Sequence, residues 1–131
     1  MAGPKGSKYY DIFLRHQVEM VSGDEILISE EGFRLLLAIE KDLSIVGAAR
    51  DLGISYRKAW GMIREIEYQL GFQLVGKRRG GKAGGRTTFT DEGKALIEAY
   101  KNMTGELESS DKEIIRTFFR NINQLKDKRQ K

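Results

Sequence analysis

The stretch between residues 44 and 70 constrains the fold most, because it holds two helix patterns separated by a tight turn. Ser44 is suited to cap a first helix of about two turns, and Gly53 is suited to end it. Ser55 can cap a second helix that runs to Leu70. A short helix, a glycine-containing turn and a longer helix predict a helix-turn-helix unit. Its apolar positions recur at helical spacing and are expected to be buried: Val46, Ala49 and Leu52 in the first helix, and Ala59, Ile63, Ile66 and Leu70 in the second.

The second helix, about residues 55–70, has a cationic outer face in its first half. In a helix-turn-helix unit this helix enters the major groove of DNA and leads with its N-terminal residues. The side chain of Arg57 or Arg64 can bind the two acceptors on a guanine edge, or a phosphate, and Gly61 lets the helix lie close to the bases. An ordinary helical hairpin would mix acids and bases on this face, so we favour a recognition helix. The DNA-binding residues predicted in this unit are Ser44, Ser55, Tyr56, Arg57, Lys58, Gly61 and Arg64.

A glycine-rich basic run, GKRRGGKAGGR, spans residues 76–86 and contains five glycines, five cations and no acid. Gly76, Gly81 and Lys82 fit the G-x-x-x-x-G-K frame of a nucleotide-binding loop. Such a loop passes from a strand into a helix and carries Ser or Thr after the lysine. Here both flanks have strand composition and Ala83 follows the lysine, so a nucleotide site is disfavoured. A β-hairpin wing at about residues 73–90 is predicted instead, with DNA-backbone contacts from Lys77, Arg78, Arg79, Lys82 and Arg86.

The positive charge of the chain is concentrated in the same region. Residues 55–86 contain eight cations and two acids, a net charge of +6, whereas the whole chain carries +4. A run of charge is often only a solvated surface, but here it lies on the predicted recognition helix and wing. Clustered lysines and arginines bind nucleic acid through its phosphates and release counterions. We therefore expect double-stranded DNA as the partner.

The N-terminal part is predicted to form a β-hairpin followed by a helix. Even spacing of apolar residues predicts a strand over Tyr9–Val21, a turn at residues 22–25 and a second strand over Ile26–Ile28. The period then changes, and a helix is predicted from about Glu31 to Lys41. His16, the only histidine, is interpreted as a structural strand residue rather than a catalytic base or metal ligand.

The C-terminal segment, about residues 91–125, is predicted to form a helix that begins after Thr90. An apolar stripe with spacings of three and four follows it, and a polar break at Ser109–Ser110 indicates a kink or a loop. A domain of this size has little core with which to cover so long a stripe, so a second copy of the chain is expected to cover it. A two-fold dimer would place two recognition helices about one turn of DNA, roughly 34 Å, apart. The predicted dimerisation residues are Leu96, Tyr100, Met103, Leu107, Ile114, Phe118 and Ile122.

Two stretches, SIVGAARDLGISYRKAWGMIREIE and LVGKRRGGKAGGRTTFTDEGKALIEAY, resemble the N-terminal DNA-binding domain of the ModE-type molybdate-responsive transcription regulators. The resemblance covers about Glu31 to Tyr100. The more distant LysR-type regulators share AARDLGIS, IREIEYQLG and T-x-x-G, but they lack the glycine-rich basic wing and usually lack YRKAW. The resemblance implies a winged helix-turn-helix, a dimer, and a palindrome-like operator that controls molybdate transport or molybdoenzyme genes. Full-length members bind molybdate in C-terminal β domains, whereas about 30 residues of helical pattern follow Tyr100 here, so molybdate sensing is not expected to carry over.

The expected fold is mainly α with small β elements, a winged helix-turn-helix with an N-terminal β-hairpin and a long C-terminal helical dimerisation segment. The predicted organisation is a disordered N-terminus at residues 1–8, the DNA-binding domain at 9–90, the helical segment at 91–125 and a basic tail at 126–131.

Composition narrows the function classes. Cysteine is absent, which removes disulfides and thiolate metal sites, and no apolar run approaches the roughly 20 residues of a membrane helix. Without a signal peptide, a histidine pair or a carboxylate cluster, we expect a cytoplasmic protein that is not an enzyme and has no cofactor, metal or membrane partner. The expected function is a homodimeric, sequence-specific DNA-binding regulator, with an effector or partner protein left open. The alternatives are a small oxyanion- or phosphate-binding sensor module and a LysR-like regulator fragment.

Overall fold

The computed structural model describes residues 2–76 and 86–130, which form two compact units. The first unit comprises residues 17–99, and the second comprises residues 2–16 together with residues 100–130. The elements, in chain order, are the strands β1 (Met20–Ser22) and β2 (Glu25–Ile28) and the helices α1 (Glu30–Asp42), α2 (Ile45–Leu52), α3 (Tyr56–Leu70) and α4 (Asp91–Gln130). Helix α4 contributes to both units, and it includes most of the predicted basic tail. No helix within the described residues is long and apolar enough to cross a membrane.

Local capping explains where the first three helices begin and end. Ser29, Ser44 and Ser55 precede α1, α2 and α3, and each side-chain oxygen accepts a hydrogen bond of 3.0 Å from a backbone N–H three residues later. Gly53 and Gly71 follow α2 and α3 in the left-handed conformation that glycine adopts without strain. The predicted bounds of the helix-turn-helix helices are therefore confirmed.

The N-terminal hairpin is present but much shorter than predicted. Strands β1 and β2 pair antiparallel, with Val21 opposite Ile26, around a turn that contains Gly23. The predicted strand over Tyr9–Val21 is wrong for all but its last two residues. Turns occupy residues 4–12 instead, and the backbone N–H of Ile12 donates to the Tyr9 carbonyl at 3.1 Å. Side chains of this segment, such as Tyr9, pack on α4. The even spacing of its apolar residues therefore does not come from a β-sheet.

The core of the first unit lies where α1, α2 and α3 meet. One prediction about it is wrong: Val46 is 41% exposed, while its neighbours Ile45 and Ala48 are buried. Helix α2 has only eight residues, so an apolar stripe that starts at position 45 and one that starts at position 46 fit its sequence almost equally well. Packing against α1 buries the stripe that starts at position 45. The buried cluster consists of Leu35, Ile39, Ile45, Ala48, Ala49, Ala59, Ile63 and Val75.

The two flanks of the glycine-rich loop pair with each other, as the sequence predicts for a wing. Val75 and Phe89 form an antiparallel bridge, and the Gly76 N–H donates to the Thr88 carbonyl at 2.8 Å. Residues 77–85, which would form the tip, lie outside the described residues.

The start of α4 is fastened to the base of this wing. The Thr90 N–H donates to the Leu74 carbonyl at 2.9 Å, and the Thr90 hydroxyl donates to the Gln73 carbonyl at 2.6 Å. The same hydroxyl oxygen accepts from the Gly93 N–H at 3.0 Å and so caps α4. Gly93 lies against the Leu74 carbonyl group with no space for a Cβ atom. The spacing T-x-x-G thus has a physical reason: one residue caps, and the other permits the close approach.

In the second unit, α4 continues as a helix through Ser109–Ser110, so the polar composition there does not form the loop that was one of the two predicted alternatives. The Ser109 hydroxyl donates to the Gly105 carbonyl one turn back, at 3.1 Å, which lets a serine remain inside a helix. Helical geometry therefore places the apolar residues on both sides of the serines along one continuous stripe.

Residues 2–16 pack on one face of this part of α4. The Tyr9 ring stacks on Phe119 with centroids 4.3 Å apart, and its hydroxyl donates to Asn123 Oδ1 at 2.9 Å. His16 Nδ1 lies 3.0 Å from Asp111 Oδ2, so the single histidine has a structural contact. A neighbouring face stays uncovered, because Ile114, Phe118, Ile122 and Leu125 are all exposed.

Candidate nucleic-acid interface

The outer face of α3 has the character expected of a recognition helix. Arg57, Gly61 and Arg64 are exposed, on the side opposite the buried residues Ala59 and Ile63. Within the part of the chain that the structure describes, Arg57 has no carboxylate partner. Its guanidinium is therefore available for a base edge or a phosphate without first breaking an ion pair.

The helix starts differ in their charge, and the difference points to where an anion would bind. The first turn of α1 contains Glu30 and Glu31, and that of α4 contains Asp91 and Glu92. Within the described residues, the first turns of α2 and α3 contain no acid. The Asp42 carboxylate does lie beside α2, with Oδ2 3.6 Å from where a Cβ of Gly47 would stand. The start of α3 is therefore the one that favours an anionic partner such as a DNA phosphate more strongly.

Ser44 and Ser55 stand at these two helix starts. Each hydroxyl oxygen already accepts a bond from its own helix, from Gly47 N and Lys58 N respectively. A hydroxyl that accepts one bond can still donate its proton. Both predicted DNA contacts are thus compatible with the capping role of the same side chains.

A row of side chains along one flank of α3 was not recognised from the sequence as a unit. The Tyr56 and Trp60 rings meet edge to face with centroids 6.3 Å apart, and the Arg64 guanidinium carbon lies 5.6 Å from the Trp60 ring centre. The guanidinium is held over the ring by a cation–π contact. The three residues are spaced four apart in the sequence, and this spacing could have predicted that they lie in a row on one side of the helix. The cation–π contact fixes the position of the Arg64 guanidinium on the outer side of α3.

Lys58 differs from the other predicted contacts because it has an acidic neighbour. Its Nζ lies 3.5 Å from Glu31 Oε1 at the start of α1. More than half of the Lys58 side chain is exposed, so this ion pair is a weak one. A DNA phosphate would have to compete with Glu31 for the ammonium group, and Lys58 is therefore a weaker candidate than Arg57.

The wing base is positioned by two side chains that sequence reasoning did not identify. The Glu67 carboxylate accepts from the backbone N–H groups of Leu74 and Val75, at 2.7 and 3.4 Å. Thr87 is buried; its N–H donates to the Leu43 carbonyl at 2.9 Å, and its hydroxyl accepts from Ile45 N at 3.3 Å. One flank of the wing is thereby tied to α3 and the other to the start of α2.

The wing and the C-terminal stripe contain the remaining predicted residues. Arg86 is exposed at the described edge of the wing, while Lys77, Arg78, Arg79 and Lys82 lie outside the described residues and stay predictions. In the predicted dimerisation set, Leu96, Tyr100, Met103 and Leu107 are partly buried and Ile114, Phe118 and Ile122 are exposed. In residues 2–76 and 86–130, no group of three or more His, Asp or Glu side chains could hold a metal ion.

These features define a winged helix-turn-helix DNA-binding domain. Residues 31–94 match the family model described as bacterial regulatory helix-turn-helix protein, lysR family. The fold is similar to that of the full-length LTTR LysG from Corynebacterium glutamicum, with a TM-score of 0.51 and 22% sequence identity over 63% of this chain and 27% of that chain. The winged helix-turn-helix class predicted from the sequence is confirmed.

Particular relatives carry the molybdenum-related names that the resemblance predicted. The chain is 36% identical over 93 residues to the molybdenum-pterin-binding protein MopB of Rhodobacter capsulatus, which is 71% of this chain and 33% of that protein. It is 35% identical over 83 residues to the molybdenum transport protein ModE of Azotobacter vinelandii, 63% of this chain and 31% of that protein. It is 41% identical over 66 residues to the DNA-binding transcriptional dual regulator ModE of Escherichia coli (strain K12), 50% of this chain and 25% of that protein. The chain spans between a quarter and a third of the length of these relatives.

Proposed function

We propose that this chain acts as a dimeric, sequence-specific DNA-binding transcription regulator of the cytoplasm, without catalytic activity. Helix α3 contacts base edges in the major groove, and the basic wing contacts the backbone beside it. The observation that carries this proposal is that the first turns of α2 and α3 contain no acid and that Arg57 is exposed and has no carboxylate partner among the described residues. The printed name of the E. coli relative, a DNA-binding transcriptional dual regulator, supports the same function.

Selection of binding sites from a random DNA pool tests the proposal, followed by titration of the selected site at two salt concentrations. A sequence with two related half-sites is expected. Its affinity should fall steeply with salt, because each neutralised phosphate releases counterions. The absence of an enriched sequence would contradict sequence-specific binding, and heat on titration with molybdate or phosphate would then favour the oxyanion-sensor alternative.

Arg57→Ala is expected to weaken binding to the selected site by about 1–3 kcal/mol and to relax the preference at one or two base pairs. The reason is that a bidentate arginine–guanine contact discriminates against every other base. Arg34→Ala is the matched control, because Arg34 is an exposed arginine on α1 that pairs with Glu30 at 2.7 Å. Equal weakening on all sequences would show that Arg57 binds a phosphate instead.

The dimer is proposed to form through the uncovered face of α4 in the second unit. Ile114, Phe118 and Leu125 are each 54% exposed there, whereas the face that contains Phe119 is covered by residues 2–16. Four large apolar side chains in water along one helix are unfavourable and mark an interaction surface. A second copy of the same helix offers the complementary apolar face, as a two-fold interface requires.

Sedimentation of Phe118→Asp tests this interface. The substitution is expected to produce monomers, because it places a charge in the middle of the apolar contact. Thr117→Asp introduces the same residue at an exposed neighbouring position and should leave the dimer intact. A Phe118→Asp protein that stays dimeric would place the interface elsewhere.

A further inference from the structure

Two exposed apolar side chains stand beside each other within the candidate interface. Val46 is the second residue of α2 and is 41% exposed, and Tyr56 is the first residue of α3 and is 44% exposed. Both belong to the helix starts that carry no acid in their first turns. The cations around them would bind phosphates and polar base edges, but a valine can do neither.

Val46 and Tyr56 border a small cavity, called the notch below, which is also lined by Ile45, Trp60 and, from the wing base, Gly76. Its volume is about 10 Å³, which corresponds to roughly one water-sized group. A methyl group is only slightly larger than a water molecule, whereas an aromatic ring or a whole phosphate group is far too large for the notch. Most of the lining is apolar, so a methyl group suits the notch better than a water molecule.

We infer that the notch receives the C5-methyl group of a thymine, so that Val46 and Tyr56 make the protein selective for thymine at one position of each half-site. The methyl group is the apolar feature that distinguishes thymine in the major groove. The start of α3 is the part of the unit that meets base edges, and Tyr56 is its first residue. This inference rests on the proposed DNA-binding function and specifies which base feature one part of the interface recognises.

The competing occupant is a phosphate oxygen. The notch is lined by Ser44 as well, whose hydroxyl can donate to an anion at the start of α2. The two occupants of the notch can be distinguished with modified DNA, because each modification weakens binding for only one of them. Replacing thymine by uracil removes only the methyl group. Replacing a phosphate by methylphosphonate exchanges one charged oxygen for a methyl group and leaves every thymine intact.

A uracil scan of the selected operator tests the inference, with each thymine replaced singly by uracil and the dissociation constant measured at one salt concentration. For the wild-type chain, uracil at one thymine of each half-site should weaken binding by about fourfold, the effect of exposing one methyl-sized apolar group. For Val46→Ala, the same replacement should change binding by less than about twofold, because the wall of the notch is gone. Val21→Ala removes the same atoms from an exposed valine on β1 and should keep the full effect.

The outcomes distinguish failure of the thymine inference from failure of the proposed DNA-binding function. One possible result is that the operator is bound while uracil has no effect on the wild-type chain, and another is that Val46→Ala shows the same uracil effect as the wild type. Either result overturns the thymine inference and leaves the DNA-binding function standing. Sensitivity to methylphosphonate that Val46→Ala or Ser44→Ala removes, without a uracil effect, overturns it in favour of a phosphate. If no operator is selected at all, the proposed function fails first, and this inference fails with it.

Discussion

Gly93 has no room for a side chain, and we expect Gly93→Ala to lower the free energy of unfolding of the first unit by about 2 kcal/mol. A Cβ atom there would overlap the Leu74 carbonyl oxygen and lie 3.1 Å from the carbonyl carbon. The carbonyl cannot simply move away, since it accepts from the Thr90 N–H at 2.9 Å. Overpacking costs about 1–3 kcal/mol and the disturbed hydrogen bond about 1 kcal/mol. The higher helix propensity of alanine offsets about 1 kcal/mol.

Urea unfolding followed by tryptophan fluorescence measures this effect in the relevant unit, because Trp60 is the only tryptophan and lies in α3. Gly61→Ala is the control in the same unit: no described atom lies within 4 Å of a Cβ built there. It should raise the free energy of unfolding by about 0.5–1 kcal/mol through helix propensity alone. A Gly93→Ala protein as stable as the wild type would refute the close packing of α4 on the wing base.

Two further perturbations test contacts that the fold depends on. Glu67→Ala should destabilise the first unit by about 1–3 kcal/mol, because it leaves the buried Leu74 N–H without an acceptor; the same fluorescence assay measures it, and Glu67→Gln, which keeps one acceptor oxygen, should lose less. A hydrogen bond to the Asp51 side chain, followed by partial burial, raises the pKa of Asp42 above its ordinary value of 3.8. The folded state therefore holds the Asp42 proton more tightly than the unfolded chain does, and this group lowers stability as pH rises from that ordinary value through the raised pKa. Asp42→Asn should consequently be more stable than the wild type at neutral pH, with the difference vanishing in acid; a difference independent of pH would contradict this origin.

The helix-turn-helix part of the fold could be predicted from the sequence because its signals are local. Ser44 and Ser55 cap through a backbone N–H only three residues away, and Gly53 ends α2 by its own conformational freedom. The outer face of α3 followed from helical periodicity alone. The pairing of the wing flanks was likewise predictable from two short strand-like stretches around a glycine-rich loop.

Contacts between distant residues explain what sequence reasoning missed. Tyr9 looked like a strand residue because its segment alternates, yet its ring stacks on Phe119, more than a hundred positions away. No local pattern around Glu67 indicates that its carboxylate binds the backbone N–H groups of Leu74 and Val75, seven and eight residues later. Each of these partners is chosen by packing, which no local pattern encodes.

The sequence by itself determined the three helices of the first unit, their serine caps and the cationic outer face of α3, because these depend on neighbours within one turn of the chain. Only the tertiary structure decided that Val46 faces outward beside Tyr56, and that Gly93 must remain a glycine against Leu74. Such facts depend on how elements fit together in three dimensions, where a shift of one residue or one methyl group decides between a buried contact and an exposed one.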